Sequence, residues 1–272
     1  MENTQRGMAE INGTKLYYNL TGDGPTLVLA HANPANETMW DEQVAALSQH
    51  YRVLRYDQRG AGQSEAGTGA FSHHADLNGL LERLDISEAH FIGLSNGSML
   101  LTDFALSYPE KVRSLVLASP ALSGYEFKGE PPATLMALFG ALGTGDMDAA
   151  EELATQVWAD GPSRRPEDVD SAFRERFREM ARTELKVMFP DAAQPVGLEP
   201  PAIGRLGEIT VPTLIVLGDK DDPSILDIGE TLHAGVGGSE RIVLEGAAHM
   251  LNMEQPEAFG ELVLDFLERA GE

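Results

Sequence analysis

The segment that most constrains this chain is Gly93-Leu94-Ser95-Asn96-Gly97. It stands between the apolar run His90-Phe91-Ile92 and the helix-like stretch Ser98-Met99-Leu100-Leu101-Thr102-Asp103-Phe104-Ala105-Leu106. A strand that passes into a helix over so few residues needs a sharp backbone reversal, and the small glycines let strand and helix approach closely around it. Ser95 occupies the apex, where its hydroxyl projects away from both elements. The N–H groups that open the following helix face any negative charge developing on a group that this hydroxyl attacks. The same residues also suit a plain turn in which Ser95 caps the helix. Partners elsewhere in the chain decide between the two readings.

A hydroxyl is a weak nucleophile near neutral pH. It needs a histidine to take its proton and an acid to fix that histidine's tautomer and orientation. The run Thr213-Leu214-Ile215-Val216-Leu217 reads as a buried strand and ends in Gly218-Asp219-Lys220-Asp221-Asp222-Pro223, which puts carboxylates at a strand's C-terminal end. A further strand, Arg241-Ile242-Val243-Leu244, leads into Glu245-Gly246-Ala247-Ala248-His249. Along the chain the order is serine, acid, histidine. The strand directly after Ser95, Ser114-Leu115-Val116-Leu117-Ala118, runs into Ser119-Pro120-Ala121 and offers no carboxylate.

Around these motifs the chain divides into a strand-rich part and a helical part. Strands are expected over Met8 to Ile11, Leu16 to Asn19, Thr26 to Ala30 and Arg52 to Tyr56, followed by an amphipathic helix over Ala75 to Leu84. From about Leu122 to Pro201 only helical segments are expected, near Ala133 to Leu142, Met147 to Trp158 and Val169 to Phe189, and strands resume at Val211. Phe173, Phe177 and Met180 recur at i, i+4 and i+7 and read as a packing stripe on the core. Met136, Met188 and Met250 are candidates for an adaptable apolar acyl pocket.

With these elements in place, the chain resembles the α/β-hydrolase family from about Met8 to about Leu267. His31-Ala32-Asn33-Pro34 is similar to the family's His-Gly-x-Pro loop, and Asp57-Gln58-Arg59-Gly60-Ala61-Gly62-Gln63-Ser64 to its Asp-x-Arg-Gly-x-Gly-x-Ser turn. Gly218-Asp219-Lys220-Asp221 matches the Gly-x-x-Asp acid turn, and His249 with Gln255-Pro256-Glu257 matches the family's Gly-His and following Pro-Glu. The resemblance implies an α/β fold with a mostly parallel eight-stranded sheet flanked by helices. Its core would comprise residues 1–121 and 202–272, with a helical lid inserted over 122–201.

The resemblance further implies Ser95 as nucleophile, His249 as base and Asp221, on the aspartate of the acid turn, as its partner. Asp219 and Asp222 are read as solvated turn residues. The oxyanion hole would use the backbone amide of Asn96 and, by resemblance, that of Asn33. Two departures bear on backbone freedom: Ala32 stands for the loop's usual glycine, and Ala248 for the glycine that usually precedes the histidine. Haloalkane dehalogenases share a similar Asn-Pro loop but attack with aspartate, so Ser95 sets them aside in favour of an acyl-enzyme.

The activity so implied is cleavage of carboxylic esters, with a small-molecule ester or lactone as substrate and no cofactor. Enol-lactonases acting on 3-oxoadipate enol-lactone are also similar, through Met39-Trp40-Asp41-Glu42-Gln43 and Arg55-Tyr56-Asp57. C–C bond hydrolases and cofactor-free perhydrolases use the same triad. Arg164, Arg165, Arg174 and Arg176 are read as solvated, so no basic cluster awaits a dicarboxylate. A signalling receptor that keeps the triad to bind a ligand is the reading from another class. Several lid helices and no obvious exposed apolar patch favour the enzyme.

The remaining histidines take structural readings: His31 supports the oxyanion loop, His90 opens a strand, and His73-His74 with Asp76 form a helix end instead of a metal site. A chain of 272 residues suffices for one such domain with a lid, and without cysteine it uses no disulfide. A formal net charge of −23 excludes nucleic acid and anionic membranes as partners and is read as a solubility device. Met1 to Arg6 carry no apolar leader and no run is long enough to cross a membrane, so a cytoplasmic protein is expected, its oligomeric state left open.

Overall fold

The computed structural model describes residues 4–186 and 193–271. Its strands are β1 (Thr4–Ile11), β2 (Thr14–Thr21), β3 (Thr26–Ala30), β4 (Arg52–Tyr56), β5 (Gly69–Phe71), β6 (Ala89–Leu94), β7 (Val112–Ala118), β8 (Ala193–Pro195), β9 (Thr213–Gly218) and β10 (Glu240–Leu244). The helices are α1 (Asp41–Leu47), α2 (His73–Arg83), α3 (Asn96–Ser107), α4 (Ala133–Thr144), α5 (Met147–Thr155), α6 (Ser171–Glu184), α7 (Pro223–Gly235), α8 (Leu251–Glu254) and α9 (Pro256–Ala270). Eight strands form one sheet in the order β1-β2-β4-β3-β6-β7-β9-β10. The pairs β1·β2 and β2·β4 are antiparallel and the rest parallel, so the resemblance's mostly parallel α/β sheet is the fold observed.

The period of two along each central strand sends side chains to both faces of the sheet. Val28, Phe91, Leu115, Leu117, Ile215 and Leu217 join a cluster that α2, α3 and α7 cover with Leu77, Leu101, Phe104 and Leu232. Leu27, Leu29, Ile92, Val116, Leu214 and Val216 join the opposite cluster, covered by Trp40, Leu47, Phe259, Val263 and Phe266. Burial on both faces makes these strands continuous apolar runs, the mark of a doubly covered parallel sheet. Because seven of the eight strands point the same way and only β2 is reversed, the turns after β3, β6, β7, β9 and β10 gather at one edge of the sheet.

The segment between β7 and β9 holds α4, α5 and α6, as expected, but it is not wholly helical. Its last part forms β8, which pairs in parallel with β5 from Gly69↔Ala193 to Phe71↔Pro195. A three-residue strand containing proline carries no pattern that a sequence reading would detect. The stripe on α6 packs inward: Phe173 and Phe177 are buried in the same cluster as Leu94, Ala118 and Met250. The end of the helix expected over Val169 to Phe189 lies outside the described residues, as does Met188.

Helix α4 departs from expectation. It contains no charged residue and buries only Leu138, leaving Met136 53% and Phe139 43% exposed, and Phe127, in the loop that precedes it, is 69% exposed. Exposed apolar side chains are therefore present on the surface, and Met136 stands half in solvent. Among the described residues no helix is long and apolar enough to cross a membrane.

Candidate active site

Ser95 links β6 to α3 with φ 56° and ψ −115°, a backbone region that side-chain-bearing residues rarely adopt. Both flanking glycines are required by contact. A Cβ on Gly97 would stand 2.2 Å from the Ala30 carbonyl oxygen, and one on Gly93 would stand 2.6 Å from the Gly97 carbonyl group. The strained turn is held by hydrogen bonds on both sides. The Ser95 N–H donates to Ala118 O at 2.9 Å, and the Ser95 carbonyl accepts from Met99 N and Ala121 N, each at 3.2 Å. The fully buried Ser98 hydroxyl closes the turn by reaching Gly93 O at 2.7 Å and Ala118 O at 3.1 Å.

The turns after β9 and β10 bring Asp221 and His249 together. His249 Nδ1 lies 2.9 Å from Asp221 Oδ2 and 3.1 Å from Oδ1, with both residues buried. Asp221 also accepts from the Asp222 N–H at 2.7 Å. Of the three neighbouring aspartates, Asp221 is the one that meets the histidine. The other two are structural instead of merely solvated: Asp219 accepts the Gly246 N–H at 2.5 Å and pairs with Lys220, and Asp222 caps α7 through Ser224 N at 2.8 Å. The structure does not join Ser95 to His249 by a hydrogen bond. His249 Nε2 is buried without a hydrogen-bond partner among the described residues.

The loop after β3 is wired into the Ser95 turn through His31 and Gln58. His31 Nδ1–H donates to Ala32 O at 2.7 Å, and its Nε2 accepts from Gln58 N at 2.8 Å, which fixes the neutral tautomer. Burial holds this imidazole down at about 4. The Gln58 amide returns a bond to His31 O at 2.6 Å and receives Asn96 Nδ2 at 3.1 Å. Asn33 is half-buried and its N–H has no acceptor among the described residues, while Asn96 is the first residue of α3, so its N–H has no intrahelical acceptor.

Neither alanine that replaces a family glycine is strained, because the positive-φ residues other than glycine are Asn12, Asp85, Ser95 and Ser119 among those described. Ala32 N donates to Met39 Sδ at 3.3 Å, and Ala248 N to Glu254 Oε2 at 2.8 Å.

The Asp57-to-Ser64 turn is scaffold. Burial pushes the Asp57 carboxyl up, while the N–H groups of Gln63 and Glu37, at 2.8 and 2.9 Å, oppose that shift. Arg59 pairs with Asp76 at 2.7 Å. Burial also lowers His73 and His74 at the start of α2, and no three side chains of metal-ligating type gather among the described residues. His90 sits in β6 and meets Ser114 Oγ at 2.8 Å.

Two arginines read as solvated are internal. Arg174 pairs with the buried Asp160 at 2.6 Å, and Arg164 pairs with Glu254. Only Arg165, 71% exposed, and Arg176, 45% exposed, reach water as expected. Glu184 at the end of α6 accepts Asn36 Nδ2 at 2.7 Å and Gly62 N at 3.0 Å, a tie between the inserted segment and two core turns. Gln58, Ser98, Glu184 and Glu254 escape a sequence reading because their partners lie far along the chain or on the main chain. Met250, directly after His249, is fully buried in the core. A groove of 440 Å³ between α6 and residues 36–42 is lined by Met39, Met180 and Met253 among others, and none of Ser95, Asp221 and His249 borders it.

Comparison with known proteins agrees with this architecture. The sequence model of the α/β-hydrolase fold matches residues 25–256. The chain is 30% identical over 271 residues to a 2-hydroxy-6-oxononadienedioate/2-hydroxy-6-oxononatrienedioate hydrolase of Klebsiella pneumoniae, across 94% of this chain and 92% of that one. It matches the crystal structure of a hydrolase from Pseudomonas aeruginosa with a TM-score of 0.78 and 30% identity, covering 96% and 98% of the two chains. The enol-lactonase from Burkholderia xenovorans matches with a TM-score of 0.76 and 27% identity, covering 96% and 100%. The chain belongs to the α/β-hydrolase fold family.

Proposed function

We propose that the protein is a serine hydrolase of small carboxylic esters, cyclic esters included, working through an acyl-enzyme. The observation that carries this reading is the buried Asp221–His249 pair, in which His249 Nε2 has no partner among the described residues and lies at the sheet edge that also carries the strained Ser95 turn. In the first step His249 Nε2 takes the Ser95 proton as Oγ bonds to the carbonyl carbon. The oxyanion is held by the Asn33 and Asn96 amides. The tetrahedral adduct expels the alcohol, which leaves with the proton from His249, and a water deprotonated by His249 then releases the acid and restores Ser95. Asp221 holds the imidazole and stabilises its charged form throughout. Residues 122–201 act as a lid that shapes the acyl site, with Met250 beside the base as part of its apolar wall.

A second reading, hydrolysis of a carbon–carbon bond, is favoured by the Klebsiella pneumoniae relative, whose name specifies a dioate substrate. Two carboxylates call for free cationic donors. Arg164 and Arg174 of the inserted segment are instead consumed by Glu254, Asp160 and Glu152, and the more exposed Arg165 and Arg176 pair with Asp168 and Glu42, which favours the neutral ester.

The test is steady-state turnover of p-nitrophenyl esters from acetate to dodecanoate and of a 2-hydroxy-6-oxodienedioate, wild type beside Ser95→Ala. Multiple turnover of the esters, lost by ~10⁴-fold or more in a folded Ser95→Ala, is expected. Faster turnover of the dienedioate would establish the second reading. A single stoichiometric burst would overturn both in favour of ligand binding.

A further inference from the structure

The acid and the base of the proposed centre stand on different turns, Asp221 after β9 and His249 after β10. Something must hold the two turns in register. The inserted segment does so between Ala159 and Arg164. Gly161 has φ +76°, and a Cβ there would stand 2.4 Å from Lys220 O and 3.0 Å from Ala248 Cβ. The main chain of the insertion thus rests directly on the residue before Asp221 and on the residue before His249. The short π-helical turn Gln156–Asp160 delivers Gly161 to this point, an irregularity of a kind often found at functional sites.

Arg164 fixes this seat. A guanidinium has five N–H groups, and all five of Arg164 are engaged. Nε reaches Asp160 O at 2.7 Å and Nη2 reaches Ala159 O at 2.8 Å, both within the insertion. Nη1 reaches Gly246 O at 2.7 Å, in the turn that carries the base. The remaining donors form a two-pronged pair with Glu254, Nη1 to Oε1 and Nη2 to Oε2, the latter at 3.1 Å. Glu254 Oε2 in turn accepts the Ala248 N–H at 2.8 Å. Behind this, Asp160 is locked from α6 by Arg174 at 2.6 and 2.9 Å. A continuous polar chain therefore runs from α6 to the peptide adjoining His249, with Arg164 and Glu254 only 12% and 10% exposed.

We propose that Arg164 and Glu254 are positioning residues: through the Ala248 N–H and the Gly246 carbonyl they hold His249 against Asp221, and they make the seating of the inserted segment a condition of base placement. This rests on the reading of Ser95, Asp221 and His249 as the reactive centre. Neither side chain is assigned contact with substrate. Their loss lowers the rate of Ser95 acylation while leaving ester binding nearly intact, because a displacement of ~1 Å in a reacting group costs up to ~10²-fold in rate.

The experiment is single-turnover acylation by p-nitrophenyl acetate with the full chain, comparing wild type, Arg164→Lys, Glu254→Gln and the exposed neighbour Arg165→Lys, with thermal melting to verify folding. Lysine keeps the charge but loses the fork, and glutamine keeps the size but cannot serve all three donors. The expected result is a limiting acylation rate reduced ~10-fold or more in Arg164→Lys, half-saturation within about twofold of wild type, and no change in Arg165→Lys. Where Arg164→Lys fails to fold, Glu254→Gln decides by the same criterion. A folded variant that acylates within about twofold of wild type overturns the proposal, whatever its melting temperature. Ser95→Ala run alongside separates the two failures: acylation persisting there refutes the reactive centre itself, not the clamp.

Discussion

Protonating His31 should destabilise this fold, and the size of the effect follows from its surroundings. The ring is fully enclosed, donates Nδ1–H to Ala32 O and accepts the Gln58 N–H at Nε2. A second ring proton would point at that N–H, donor against donor, with no water to relieve it. Burial accordingly lowers the group from 6.5 to about 4. In the unfolded chain it titrates near 6.5. The depressed native value means that the unfolded state binds the proton first, so stability is intact above pH 6.5, declines as pH falls from there towards 4, and levels off below. At ~1.4 kcal/mol per pH unit the whole loss is ~3 kcal/mol, of which ~2 kcal/mol is reached by pH 5. Urea unfolding at pH 7.5 and pH 5.0, for wild type and His31→Gln, isolates this share. Every other titrating group, His73 included, is common to both proteins and cancels in the double difference. Wild type should lose ~2 kcal/mol more on acidification than the variant. Equal losses would refute the reasoning.

The acid assignment predicts that Asp221→Asn lowers kcat by ~10⁴-fold with the melting temperature nearly unchanged. Asp222→Ala, by contrast, should cost ~1 kcal/mol in urea unfolding by uncapping α7 and keep kcat within about threefold. The reverse ranking in ester turnover would move the acid. Phe177→Ala, at a side chain with no exposed surface, should cost ~3–5 kcal/mol in stability and leave the order of preference among ester chain lengths unchanged. A shifted preference would make the α6 stripe a substrate wall instead of packing.

What the sequence made legible is local or periodic. The central strands announce themselves by apolar runs, and the observed β3 and β4 have the expected bounds. The Ser95 turn is legible because Gly93 and Gly97 both answer to backbone atoms a fixed few residues away or on the next strand. The acid was less so. Asp219, Asp221 and Asp222 share one turn, and only three-dimensional contact shows two of them spent on Gly246 and on α7. Charge pairing across distance was invisible: Arg164 and Glu254 are 90 positions apart, and nothing in either local sequence distinguishes a saturated arginine from a solvated one. The exposure of Met136 was equally hidden, since apolar character in an uncharged helix says nothing about whether anything covers it.

The illegible contacts converge on the insertion, and that convergence alters what the segment does. It meets the core through β5·β8, through Glu184 at Asn36 and Gly62, and through Arg164 at Glu254 and Gly246. Asn36 follows three residues after Asn33, and Gly246 stands three before His249. A segment, here proposed as a lid, whose anchors fall beside the loop of the proposed oxyanion amide and beside the proposed base is coupled to the chemistry proposed there. Replacing residues that only line its inner surface should alter affinity between substrates, a difference of contacts. Replacing an anchor should alter the rate for all substrates alike, because what moves is a group common to every reaction the centre performs. Uniform loss across an ester panel for Arg164→Lys, against substrate-dependent loss for a lining variant, is the pattern this architecture requires.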